Sequence, residues 1–172
     1  MPDTVESIVR RLAERRAGIA EANIQADVAA FLRLADLDLD TDDLRLESPA
    51  ADRRRIDIEL GRTVIEIKRN LQRTDLRQQG ENQLIDYLGD REAETGARYV
   101  GVLTDGKQWL LYRLGDGNVL KEVADYTNRG NTLVCPQFGG VGILESVVSE
   151  TRKEGHTCRT VIHPSSVARS LI

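Results

Sequence analysis

The chain has 172 residues, 40% of them hydrophobic and 30% charged, with a net charge of −4. That is enough for one sizeable core in one modest domain, and no apolar run approaches the roughly 20 residues needed to span a bilayer as a helix. Two cysteines, Cys135 and Cys158, give no disulfide framework; the start, Met1-Pro2-Asp3-Thr4-Val5-Glu6-Ser7, lacks a secretory signal pattern, so the cytoplasm is the expected compartment.

Two helices are expected first, from about Thr4 to Arg16 and from about Ala20 to Leu34. In the second, Ile24, Val28, Phe31 and Leu32 form an apolar stripe. An acidic loop and a short strand near Leu44 to Glu47 follow. The segment Arg53 to Arg69 then alternates strictly between apolar and polar residues on either side of Gly61-Arg62. A two-residue loop with glycine first marks a type II′ hairpin. Leu60 would then pair with Thr63, and Asp57 would lie directly opposite Glu66. Ile56, Ile58, Leu60, Thr63, Ile65 and Ile67 would share one face. Arg55, Asp57, Glu59, Val64, Glu66 and Lys68 would share the other, because strand side chains alternate.

That second face is electrostatically costly as a solvated surface. Directly opposed residues lie roughly 4.5–5.5 Å apart at Cβ, and like charges at that spacing repel. The pairing sets Asp57 against Glu66 and Arg55 against Lys68. Opposed carboxylates become favourable when a divalent cation lies between them, since Mg²⁺ takes carboxylate oxygens plus water. Lys68, two residues past Glu66, projects from the same face toward such a site.

Further along, a helix from about Asp75 to Glu94 would place Gln83 and Tyr87 one turn apart on one face. Strands are expected near Tyr99–Thr104, Gln108–Leu114 and Val119–Tyr126. Asp105-Gly106 between apolar runs signals a hairpin of type I′, with positive φ at both residues, and Gly115-Asp116-Gly117-Asn118 makes the next turn. Beyond Thr127, helices are expected around Ile143 to Lys153 and from Ser165 or Ser166 to the end. Their apolar finish on Leu171-Ile172 suggests a longer protein or a docked last helix. Cys135, His156, Cys158 and His163 lack a Cys-x2-Cys knuckle, so a zinc site is not expected of them.

Asp57 followed by Glu66-Ile67-Lys68 on the next strand resembles the active-site signature of the PD-(D/E)xK nuclease superfamily, although Ile56 stands where the family's proline would be. Glu21 near the start of the second helix, the Gln83-Leu84-Ile85-Asp86-Tyr87 element, and the Leu103-Thr104-Asp105-Gly106 turn before an aromatic-bearing strand are similar to features of the nuclease domain of type I restriction R subunits. Together these elements run from about Glu21 to Tyr126 in the family's order. The resemblance implies a restriction-endonuclease-like α/β fold, an α-β-β-β-α-β-β core with a mixed sheet and helices on both faces. It implies a nuclease core over residues 1–127, followed by a C-terminal extension over 128–172, expected to be largely helical.

It also implies a Mg²⁺-dependent DNA endonuclease of a restriction or related defence protein, with Mn²⁺ as substitute. Asp57, Glu66 and Glu21 would hold the metal, Lys68 would orient the attacking water, and Gln83 and Tyr87 would position the site or touch the DNA backbone. The net negative charge is offset locally: Arg53, Arg54, Arg55, Arg69, Arg73 and Arg77 gather around the acids and would bind phosphate without reading sequence. No helix-turn-helix, zinc-finger or aromatic-platform pattern occurs, so further domains or subunits are expected to supply target choice. The alternative is a catalytically silent nuclease-fold module kept for DNA binding or complex assembly.

Overall fold

In the computed structural model, residues 4–16, 18–34, 44–50, 54–129, 132–135 and 140–141 are described, the last two segments and Arg129 by their backbone. The first helix, α1 (Val5–Glu14), starts at a capping box: the Ser7 amide donates to Thr4 Oγ1 at 3.2 Å and the Thr4 amide to Ser7 Oγ at 3.0 Å. It buries Ile8, Val9 and Leu12 on one stripe. The second, α2 (Glu21–Leu34), buries Ile24, Val28, Ala29, Phe31 and Leu32, so the expected stripe faces the core.

Three strands follow, β1 (Leu44–Pro49), β2 (Arg55–Leu60) and β3 (Thr63–Ile67), and then α3 (Thr74–Thr95). Strands β4 (Val100–Thr104), β5 (Gln108–Gly115), β6 (Val119–Arg129), β7 (Thr132–Cys135) and β8 (Gly140–Val141) complete one eight-stranded sheet whose spatial order is the sequence order. Every neighbouring pair is antiparallel except β3–β4. A parallel pair needs a crossover, and α3 provides it. The expected boundary after Thr127 falls inside β6, and β7 and β8 carry the sheet beyond it. The helices expected beyond Ile143, Arg53, and the side chains of Cys135, His156, Cys158 and His163 lie outside the described residues.

The sheet separates two cores. Trp109 and Leu111 of β5 pack with the buried faces of α1 and α2, whereas Leu110, Tyr112 and Leu114 pack with Leu84, Tyr87 and Leu88 of α3. Alternate side chains of one strand thus serve opposite layers, giving a mixed sheet with helices on both faces. Helix α3 lies close to the sheet at Gly80, where a Cβ would stand 2.4 Å from Leu103 Cδ1. Gly61 takes φ 54° at the β2–β3 turn and Arg62 has no positive φ, matching the expected pattern there.

Three details differ from the alternation read in the sequence. The β2–β3 ladder pairs Leu60 with Thr63, Glu59 with Val64 and Ile58 with Ile65, and Asp57 and Glu66 are not a ladder pair. Instead the Asp57 carboxylate reaches across to accept the Ile67 amide at 2.8 Å. Lys68 is likewise not paired with Arg55; its amide donates to the Thr104 carbonyl at 2.9 Å, following β4. Ile56 joins the α3 core while Ile58 and Leu60 join the α1–α2 core. The strict two-residue period therefore breaks at Asp57, beside the irregular Glu47 of β1, whose φ is 54°.

The Asp105-Gly106 turn also departs from type I′. Only Gly106 has a positive φ, of 84°. Asp105 instead uses Oδ1 to accept the amides of Lys107 and Gln108, each at 2.9 Å. An aspartate that caps its own turn in this way needs no left-handed backbone.

Candidate active site

The end of β3 and the middle of β2 bring two acids and a lysine together. Glu66 is buried, at 2% exposure, and one of its oxygens, Oε1, accepts an ion-paired hydrogen bond from Lys68 Nζ. Lys68 is buried too. The other oxygen, Glu66 Oε2, is buried with no hydrogen-bond partner among the described residues. Burial pushes the Glu66 carboxyl up to about 7, the Asp57 charge adds to the rise, and the Lys68 ammonium opposes it. Asp57 is half-buried, and burial raises its carboxyl as well, against the Ile67 amide and Lys68, with Glu47 and Glu21 contributing to the rise. Glu66 therefore feels the negative charge of Asp57.

Glu21, at the first turn of α2, accepts the Arg69 amide on Oε1 at 2.9 Å. It contributes to the field at Asp57 and Glu66, but no group of three or more His, Cys, Asp or Glu side chains placed to hold a metal occurs among the described residues. The pair Asp57 and Glu66 is what β2 and β3 assemble.

On α3, the Tyr87 hydroxyl donates to the Arg55 carbonyl at 2.8 Å, two residues before Asp57. Its ring is buried, and burial followed by the Glu66 charge raises its phenol above the usual range, while a hydrogen bond from Gln83 lowers it. Gln83 and Tyr87 thus lie on one face as expected, and Gln83 Oε1 is buried with no partner among the described residues.

The arginines divide. Arg54 pairs with Asp86, lies 3.7 Å from Asp90, and stands 5.7 Å from the centre of the Tyr87 ring. Arg73 pairs with Asp75 at 2.6 Å, and Arg77 with Glu81 and Glu122, both at 2.8 Å. Arg55 and Arg69 expose their side chains. Of the expected phosphate contacts among the described residues, these two are the least engaged by neighbouring acids.

Two residues at the site escaped the sequence reading. Gln25 Nε2 donates to Glu47 Oε1 at 2.9 Å and to the Asp57 carbonyl at 2.8 Å. Glu47 holds a positive φ that is uncommon for a residue with a Cβ. The available signal was the four-residue spacing of Glu21 and Gln25, which puts both on one face of α2.

No protein-family model, curated protein or solved structure matches this chain.

Proposed function

We propose that the chain is a metal-dependent DNA endonuclease domain in which Asp57, Glu66 and Lys68 form the reaction centre. The observation that carries this reading is the buried Glu66, with one oxygen on Lys68, the other without a partner among the described residues, and Asp57 nearby. An unsatisfied buried carboxylate oxygen is expensive, and a divalent cation satisfies it. Mg²⁺ is commonly held by only one or two carboxylates together with substrate phosphate and water, so Asp57 and Glu66 are a sufficient hard-oxygen donor pair. When bound, Mg²⁺ or Mn²⁺ supplies Lewis-acid stabilisation of charge on a phosphodiester and a more acidic water.

The chain's own residues do the rest. Lys68 offers ammonium protons to the attacking water and to charge developing on phosphate. Tyr87 fixes the Arg55 carbonyl and so the approach of β2 to the site. Glu21 holds the Arg69 amide just past the lysine. Arg55 and Arg69 are placed to contact the DNA backbone, which favours binding independent of sequence. Restriction of foreign DNA, with target choice supplied by other domains or subunits, is the setting that the resemblance suggests.

The test is nicking of supercoiled DNA with Mg²⁺, Mn²⁺ or EDTA. Metal-dependent nicking that disappears in Lys68→Ala supports the reading. Cleavage by Lys68→Ala at the wild-type rate would overturn it. DNA binding without cleavage in either metal would favour the silent module, for which the engagement of Lys68 by Glu66 is the supporting observation.

A further inference from the structure

We infer that Arg15 and Asp105 are positioning residues for this centre, a buried ion pair that fixes the backbone immediately after Lys68. The inference rests on the endonuclease reading and adds to it two residues that are distant in the chain and in contact in the fold. Arg15 is the C-cap residue of α1, and Asp105 opens the β4–β5 turn. Their side chains are 7% and 5% exposed, with Arg15 Nη2 3.2 Å from Asp105 Oδ2.

The pair converges on the β3–α3 connection. Arg15 Nη1 donates to the Arg69 carbonyl at 3.1 Å. Asp105 Oδ2 accepts the Leu71 amide at 3.0 Å. Glu21 accepts the Arg69 amide and Thr104 the Lys68 amide, both at 2.9 Å for the donor–acceptor separation. Lys68, Arg69 and Leu71 are thereby held by groups from α1, α2 and the end of β4. Without them, the segment leaving β3 would be an irregular loop whose backbone has no ladder to join.

A buried ion pair is weak evidence for stability, because apolar residues of similar volume often replace one at little cost. Here the geometry points to a different use. Asp105 also accepts the Lys107 and Gln108 amides, so its carboxylate joins the β4–β5 turn to the Lys68 segment through hydrogen bonds that a hydrophobic side chain cannot make. A displacement of about 1 Å at a reacting group can cost roughly 100-fold in rate, and Lys68 is the group this clamp places.

The experiment separates positioning from packing. Arg15→Met/Asp105→Leu and Asp105→Asn are compared with wild type by thermal melt, by kcat and KM for Mg²⁺-dependent cleavage, and by hydrogen exchange of the peptide covering residues 66–73. The expected result is that the apolar double variant keeps a melting midpoint within a few degrees of wild type. Its kcat falls about 100-fold with KM little changed, and the amides of Arg69 and Leu71 lose protection. If that variant does not fold, Asp105→Asn, assayed well below its own midpoint, carries the test with an expected kcat loss of at least about tenfold. Wild-type kcat or wild-type protection at Arg69 and Leu71 in a folded variant overturns the inference while leaving the nuclease reading intact. Absence of cleavage by wild type with either metal overturns both.

Discussion

Glu59 and Arg91 meet in a two-pronged ion pair between β2 and α3, with Nε to Oε1 at 2.7 Å and Nη2 to Oε2 at 2.9 Å. Arg91 also donates to the Pro49 carbonyl at 3.0 Å, tying β1 to the same helix. Glu59 lies on the acidic face read from the sequence, yet its carboxylate is fully engaged by Arg91. It is a structural neighbour of the proposed reaction centre. Removing Glu59 leaves the largely buried Arg91 with only Glu94 and the Pro49 carbonyl as partners, at a cost toward the low end of the roughly 3–5 kcal/mol for breaking a buried pair. Glu59→Ala is therefore expected to lower unfolding free energy by about 3 kcal/mol in urea melts; a loss below about 1 kcal/mol would show the pair to be solvated.

Glu66 makes stability depend on pH in the unusual direction for an acid. Its folded carboxyl lies at about 7, above the ordinary value of 4.5. The native state thus binds more protons than the unfolded chain between these values, and stability falls as pH rises through that window. In EDTA, the wild type is expected to be more stable at pH 5 than at pH 8 on account of this group. Glu66→Gln should remove that component and gain roughly 1–3 kcal/mol at pH 8. Identical pH profiles for the two proteins would refute the assignment.

If Asp57 and Glu66 take a divalent cation, binding to the native state stabilises it by mass action, about 2.7 kcal/mol when the ion is present at 100 times its Kd. Millimolar Mn²⁺ should therefore raise the melting midpoint of wild type, and Asp57→Asn should abolish the rise. A rise retained in full by Asp57→Asn would place the cation elsewhere.

Gly80 sets two effects against each other. Alanine gains roughly 1 kcal/mol in helix propensity, but its Cβ would stand 2.4 Å from Leu103 Cδ1, within a wholly buried side chain. Overpacking of this kind costs about 1–3 kcal/mol, so Gly80→Ala is expected to be destabilising by about 1 kcal/mol in denaturant melts. A stabilised variant would mean that Leu103 changes rotamer freely.

Periodicity made most of the scaffold legible. The stripe from Ile24 to Leu32 located α2 and its buried face, and Gly61-Arg62 fixed the β2–β3 turn and the Leu60–Thr63 pair. Asp57, Glu66 and Lys68 were picked out by the opposition of like charges that a regular hairpin would impose, although the β2–β3 ladder does not itself pair Asp57 with Glu66. The break of register at Asp57 was not legible: it depends on the backbone of Glu47 and on a carboxylate reaching the Ile67 amide, neither of which leaves a trace in alternation. Arg15 was hidden for another reason. An arginine at the end of an amphipathic helix reads as solvated, and only the tertiary fold brings it to Asp105.

A sheet whose spatial order repeats its sequence order can form nearly all its pairings between chain neighbours, where closing the loop costs little entropy. The exception is the parallel join of β3 to β4, whose register sets Thr63 beside Val100 and Ile67 beside Thr104. Within the sheet, folding thus has one pairing across a long connection to make, and contacts of that kind slow folding. The Lys68 amide bond to Thr104 lies at the end of that join. The proposed reaction centre is therefore completed by the least local pairing of the sheet, and a chain still emerging from the ribosome carries its acids and lysine before β4 is there to receive them.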